Sequence, residues 1–557
     1  MNESLLLILW LLPLLLVPLA IRANGSIWLV VAALPALMAS LLLPTGSQVE
    51  IPWLLLGTRL GLDASAAVLL LVASLLWLAA ACYVRLWLGD DAAARRFRVC
   101  FLLAMCGNFG VIAGQDLVSF YLSFSAMGLA AYGLIVHGGQ PSQQRAGRVY
   151  LSMTILGEML LFVAFMLIYQ RTGNLAPDST ELIGGSTLET GLLILAFAIK
   201  AGVLGVHFWL PLAHPAAPVP ASAVLSGAMI KTALIGWIRF LPLGEQALPE
   251  WGQLLVISGS LAALLTLVCG LSQRDPKVVL AYSSIGKMGL MVAILGLALL
   301  EPGLAEPLVA VIVLFAAHHG LAKGALFLGV GLVKASGWRF SWVLLLLPAL
   351  VLAGAPLTSG AYAKAQLSAP LSQLGGWGEV VAWILVMTAI ATPLLMARFL
   401  YLLHRIERQP VAAAAISWLP WLVLVAVLLA IPVMSDVTGI PSSPADTLTN
   451  PSGLLIALSV AGFVWWRRPD WIVRWVGTIP PGDILMLFSG RWLSVIQARC
   501  ISGLSALDLV SRIKPATTRL RLTLLRQPDL WPGRRQMGFG SLWLGMTTVF
   551  LMLTFWS

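Results

Sequence analysis

Charge is what this sequence most lacks. Asp, Glu, Lys and Arg make up only 10% of its 557 residues, while 59% are hydrophobic. Soluble domains carry roughly 25% charged residues, so water is excluded as the main solvent. The length would suffice for several soluble domains, but the apolar runs leave no room for them. Cysteine is scarce too: Cys82, Cys100, Cys106, Cys269 and Cys500 form no CxxC pair and lie mostly inside apolar runs. They read as packing residues, not as metal ligands or disulfides. No GxGxxG follows a strand, no Walker loop occurs, and no cysteine cluster suits an iron–sulfur centre. The chain is therefore expected to bind no cofactor and no metal, so any redox chemistry would belong to partner chains. The net charge of +11 does not indicate nucleic acid, because the Lys and Arg residues sit mostly in short loops, as topology signals do.

What the sequence has in abundance is apolar runs of about 20 residues, the length a helix needs to cross a bilayer. The runs are continuous and do not alternate, which argues against a lipid-facing barrel. The pattern predicts an all-α integral membrane protein of fourteen to sixteen transmembrane helices. The first ten spans are expected at 4–21, 27–43, 63–87, 98–114, 116–137, 148–169, 190–210, 219–241, 252–271 and 277–300. Further spans follow at 307–333, 341–369, 377–403, 415–434, 452–466 and 541–556. The run Leu5–Ile21 lacks a basic leader, having only Glu3 before it, so it reads as a first helix and not a signal peptide. Between 480 and 537 the arginines Arg491, Arg499, Arg512, Arg519, Arg521 and Arg526 alternate with aliphatic residues at helix-like intervals. That pattern predicts an amphipathic helix along the membrane surface, interrupted at Pro515.

The loops orient the chain. Basic residues follow the odd-numbered spans: Arg95, Arg96 and Arg98; Arg145 and Arg148; Arg274 and Lys277; Lys334 and Arg339; Arg405 and Arg408; Arg467 and Arg468. Acidic residues follow the even ones: Glu50; Glu181 and Glu189; Glu245 and Glu250; Glu301 and Glu306; Asp436 and Asp446. By the positive-inside rule the N-terminus lies on the non-cytoplasmic side of a bacterial inner membrane.

Two stretches interrupt the bundle pattern. The segment His207–Ser222, HFWLPLAHPAAPVPAS, carries Pro211, Pro215, Pro218 and Pro220. Gly354–Gly360, GAPLTSG, carries Pro356. Proline removes a backbone donor and blocks the preceding helical turn. Broken helices at membrane depth often mark ion sites, and a lysine sits beside each break. Charged side chains inside spans are the sharper signal, since each costs several kcal/mol at the bilayer centre. They are Glu158, Lys200, Lys231, Lys323 and Lys364, with His318 and His319 one turn before Lys323. Four lysines in four spans without matching acids do not read as salt bridges. Amines in a low dielectric, and imidazoles, can exchange protons near neutrality, so these groups are expected to line a proton or ion pathway.

These motifs resemble the antiporter-like subunits shared by respiratory complex I, membrane-bound hydrogenases of the formate hydrogenlyase type and multi-subunit sodium/proton antiporters. The resemblance covers roughly residues 60–405. It is carried by KAGVLGVHFWLPLAHPAAPVPASAVLSGAMIKTALIGWIRF (Lys200–Phe240), DPKVVLAYSSIGKMG (Asp275–Gly289) and HHGLAKGALFLGVG (His318–Gly331). It implies a central hydrophilic axis in which Lys200 and Lys364 stand on broken helices seven and twelve. Lys231 then takes the position on the eighth helix and Lys323 the bridging position on the eleventh. It also implies two inverted five-helix repeats, 98–241 and 252–403. Before them come helices 1–3 (1–97); after them come helices 14 and 15 (415–466), the lateral segment (480–537) and the anchor (541–556). The partners implied are other membrane subunits, with a soluble redox or carbonic-anhydrase-like module, and protons or sodium ions as cargo. The resemblance thus leaves proton or cation translocation, inorganic carbon uptake and a transport-inactive scaffold as readings, with translocation favoured by the retained lysines. One departure stands out. Relatives usually carry a Trp-Glu pair on the fifth helix after an aspartate, here Asp116, but Phe124 and Ser125 occupy those places. Glu158 on the next span is the candidate substitute; without it the first half-channel would be modified or dead.

Overall fold

The computed structural model describes residues 2–22, 25–89, 91–410, 414–433, 451–467 and 476–482. The chain divides into two units, Met1–Leu485 and Met486–Ser557, and everything described falls in the first. The expected anchor at 541–556, and all but the first residues of the expected surface helix at 480–537, lie outside the described residues.

The protein is an all-α integral membrane protein. Among the described residues nine helices are long and apolar enough to cross a bilayer, and shorter apolar helices accompany them. Backbone groups in lipid must be satisfied within the segment, which is why helices dominate. In chain order the first are α1 (Asn2–Leu15), α2 (Val17–Ala20), α3 (Ile27–Leu42), α4 (Ala64–Trp87), α5 (Ala92–Ala113), α6 (Leu117–Ile135) and α7 (Pro141–Thr172). Next come α8 (Thr187–Ala201), α9 (Leu210–Ala216), α10 (Val219–Gly227), α11 (Thr232–Phe240), α12 (Pro249–Leu271) and α13 (Pro276–Leu300). The last are α14 (Ala305–Ala335), α15 (Leu346–Ala353), α16 (Ser359–Ser372), α17 (Trp377–His404), α18 (Ala414–Ala430) and α19 (Ser452–Arg467). One antiparallel hairpin, Gln48–Ile51 with Thr58–Gly61, precedes α4.

Aspartates start several spans, since a carboxylate satisfies amides that the first turn leaves free. Asp63, Asp91 and Asp275 each accept from backbone N–H groups at the starts of α4, α5 and α13. Asp116 accepts from Val118 and Ser119 at the start of α6 and from the Arg59 amide in the hairpin at 2.9 Å. Small residues bring helices together where lipid gives no hydrophobic drive. On α12 and α13, a Cβ on Gly259 would stand 2.4 Å from the Gly289 carbonyl, and one on Gly296 would stand 2.6 Å from that of Gly252.

The interruptions differ in place from the sequence expectation. The first break is the glycine-led stretch 202–209, upstream of most of the proline-rich segment. Gly202 (φ 69°) and Gly205 (φ 96°) take left-handed backbone that favours glycine. Pro211 and Pro220 instead sit in the first turns of α9 and α10, where a missing N–H costs nothing. Pro218 caps α10 and Pro215 lies inside the short α9. The span expected unbroken at 219–241 is also interrupted, by a 3-10 turn at Met229–Lys231 between α10 and α11. The second break falls where expected, between Ala353 and Ser359, with Gly354 at φ 78° and Pro356 inside it.

Two loop charges turn out to be interior. Arg98 is 1% exposed within α5, and its guanidinium donates to the Ala20 carbonyl at 2.7 Å, tying α5 to the end of α2. Glu189 is buried at the start of α8 and receives both arms of Arg171 at 2.8 and 3.1 Å. Both act as ties between helices.

Candidate ion path

The first cluster forms where α6, α7 and α8 meet. Lys200 stands in the last turn of α8, just before the break, and Glu158 in the middle of α7. Both are buried, and neither Glu158 Oε1 nor Lys200 Nζ has a hydrogen-bond partner in the protein. Gly128 on α6 makes their room: a Cβ there would stand 2.5 Å from Glu158 Oε1 and 3.2 Å from Lys200 Nζ. The ammonium also lies over the Phe124 ring, 4.7 Å from its centroid, a distance at which the ring face attracts a cation. Ser125 is buried on the same helix. A small cavity reaches Lys200 between Phe124, Thr154, Gly157, Ala196 and Trp209. The break itself is well made: the Ile199 carbonyl accepts from the Gly202 amide at 3.3 Å and from the Trp209 indole at 2.8 Å.

The remaining lysines are held in a second way, on backbone carbonyls. Lys231, in the 3-10 turn, donates to the Ser226 carbonyl. Lys323, fully buried on α14, donates to the Leu280 carbonyl of α13 at 2.7 Å. Lys364 on α16 reaches back across the second break to the Ala353 carbonyl at 3.0 Å. For Lys231 and Lys364 the seat is a half-helix end, whose carbonyls lack partners and carry the negative end of the helix dipole, whereas Leu280 lies inside α13. Of the two histidines, His318 Nδ1 lies 3.0 Å from the Ser359 hydroxyl at the start of α16. His319 is buried with neither ring nitrogen partnered. Among the described residues the ion pairs are Arg59–Glu50, Arg171–Glu189 and Arg239–Asp63, and none holds one of these lysines.

The structure adds three groups that sequence reasoning did not select. Lys287 is buried in the middle of α13, within electrostatic reach of Lys364 and His318. The rule that found the other lysines, a charge inside an apolar span, would have found it. Lys277 was read as a loop charge, yet its ammonium donates to the Ala217 carbonyl at 2.6 Å and the His214 carbonyl at 3.3 Å. His214 is wholly buried, stacked on Phe327 at 4.6 Å between ring centroids, with neither nitrogen hydrogen-bonded in the protein. No spacing in the sequence singles it out, because a histidine among prolines reads as loop.

Known proteins resemble this chain over the same region. Residues 114–392 match the family model described as NADH:quinone oxidoreductase/Mrp antiporter, transmembrane, a range that holds every group from Glu158 to Lys364. Hydrogenase-4 component B of Escherichia coli (strain K12) is 32% identical over 290 residues, covering 49% of this chain and 43% of that one. NADH-ubiquinone oxidoreductase chain 4 of Gadus morhua is 27% identical over 422 residues, covering 67% of this chain and 85% of that one. The chain spans about half the length of most of the curated relatives it matches. A chain in the structure of the Mrp complex from Dietzia sp. DQ12-45-1b superposes with a TM-score of 0.69 at 21% identity, covering 94% of this chain and 62% of that one. At that identity the likeness concerns the fold.

Proposed function

Because the chain belongs to the NADH:quinone oxidoreductase/Mrp antiporter transmembrane family, we propose that it moves protons, or exchanges cations for protons, along its buried amines as one membrane subunit of a larger assembly. The observation that carries this reading is the Glu158–Lys200 pair over Gly128. A carboxylate and an ammonium share a space that only a glycine leaves open, beside a helix break and a small cavity. Such a pair can trade its charge state with the next group along, since charging one amine raises the cost of charging its neighbour. From there we take the path on through Lys231, Lys323, His318, His319 and Lys287 to Lys364. Structural lysines would have no reason to bear the several kcal/mol that each buried charge costs. The pair also supports Glu158 as the acid that serves in place of the one missing at Ser125.

The rest of the reading follows from the same features. We take 98–241 and 252–403 as two inverted repeats, supported by one glycine-led break in each. The loop charges support an N-terminus on the non-cytoplasmic side of a bacterial inner membrane. The relatives' names, a hydrogenase component and a subunit of a quinone oxidoreductase, support other membrane subunits and a soluble redox module as partners.

The test is proton flux into membrane vesicles bearing the assembled complex, followed with a pH-sensitive dye under an imposed gradient. Glu158→Gln keeps the shape of the side chain and removes its charge. The expected loss is about a hundredfold, the lower range for removing a group that must accept and release a proton. Flux within a factor of about two of wild type would remove Glu158 from the path.

A further inference from the structure

The two halves of the line of amines join between Lys231 and Lys323. Lys231 belongs to the interrupted span α10–α11 and Lys323 to α14, and the helices between them close tightly. A Cβ on Gly320 of α14 would stand 2.7 Å from the Gly227 carbonyl of α10, and one on Gly227 would meet the Leu76 side chain at 2.7 Å. At this contact the two backbones meet directly, as small residues allow. A pair of side chains also crosses the junction. Ser226 Oγ on α10 lies 2.9 Å from Ser284 Oγ on α13, and both residues are fully buried.

The pair is wired into the seats of both lysines. The carbonyl of Ser226 is the one that receives Lys231. The Ser284 hydroxyl donates to the Leu280 carbonyl at 3.0 Å, and that same carbonyl receives Lys323 at 2.7 Å. In the arrangement where the Ser284 hydroxyl donates to Leu280, the hydrogen between the two hydroxyls comes from Ser226. In that arrangement the dipoles of both hydroxyls point from the Lys231 seat toward the Lys323 seat. A carbonyl shared by an ammonium and a hydroxyl holds each more weakly when the other is present, and chained hydrogen bonds polarise one another.

We infer that Ser226 and Ser284 are positioning residues of the path: their hydroxyl bridge joins the carbonyl that seats Lys231 to the carbonyl that seats Lys323, and so couples the charge states of the two amines. The inference rests on the lysine line proposed above. When Lys323 gives up its proton, the Leu280 carbonyl turns wholly to Ser284, the bridge tightens, and the Ser226 carbonyl is held in the position that favours a charged Lys231. The bridge transmits charge state and moves no proton itself, because backbone carbonyls do not relay protons.

Ser226→Ala, Ser284→Ala and the double variant test it, measured as the initial rate and pH profile of proton flux in vesicles bearing the complete complex. Each single variant is expected to slow flux by about tenfold and to shift the pH profile. The double variant should do no more than either alone, because the two hydroxyls act as one unit. Ser226→Thr and Ser284→Thr, which keep the hydroxyl, should restore the wild-type pH profile. Lys231→Ala and Lys323→Ala, run alongside, separate the two levels of inference. If those variants transport normally, the lysine line itself is wrong. If they lose flux while the alanine variants keep the wild-type rate and profile, the line stands and the bridge is overturned. Additive losses, or threonine variants that behave like alanine, would also overturn it by showing that the serines only fill space.

Discussion

Lys200→Ala is expected to reduce proton flux by at least about a hundredfold while the chain still accumulates in the membrane. Alanine is the best helix former, so α8 keeps its last turn, and the break beyond it is held by Trp209 on the Ile199 carbonyl, not by the lysine. What is lost is the charge opposite Glu158. A buried carboxylate without a cation takes up a proton and stays neutral, so the variant should lose the first half of the line and not its fold. Flux and membrane abundance, measured on the same vesicles, separate these outcomes. A variant that accumulates normally and still conducts would remove the cation from the first half-path.

Gly128→Val should be nearly as damaging, though it removes no ionisable group. An added Cβ would stand 2.5 Å from Glu158 Oε1, 2.7 Å from Thr154 Cγ2 and 3.2 Å from Lys200 Nζ. Contacts under 3 Å force movement, and what moves here is the carboxylate, the flexible end of a side chain. Gly128→Ala should displace it modestly and slow flux by about tenfold, whereas the branched valine should evict it and slow flux by about a hundredfold. Gly462→Ala on α19, where a Cβ meets nothing within 4 Å, is the matched control and should leave flux unchanged. A graded loss at Gly128 with a silent control points to the pair. Equal, full flux in all three variants would show that the space above Gly128 is not used.

Much of this was legible in the sequence because lipid imposes one strong rule. Runs of apolar residues must be helices, and charges inside them stand out, so the spans and Glu158, Lys200, Lys231, Lys323 and Lys364 could be named from composition alone. Placement was harder. The four prolines between 211 and 220 drew attention from Gly202 and Gly205, because proline is conspicuous yet harmless in a first turn, while the glycines carry the positive φ that ends α8. The interruption at Met229–Lys231 has no proline or glycine inside it and left no sign in the pattern. Lys277 and Arg98 sit near span ends, where basic residues usually mark topology; only the fold shows their side chains turned inward onto carbonyls. Lys287 lies in DPKVVLAYSSIGKMG, where the same rule of a charge inside an apolar span marks it. The Ser226–Ser284 contact joins residues 58 positions apart, and nothing in the chain's order links them.

The most direct test lies at the middle of the line. Lys323 is fully buried, and the hydrogen bond that seats it is to the Leu280 carbonyl. Proton flux should be measured in vesicles bearing Lys323→Ala within a complex of normal abundance. If ions pass from amine to amine, flux should fall to the level of empty vesicles; flux at the wild-type rate would contradict the buried-amine path.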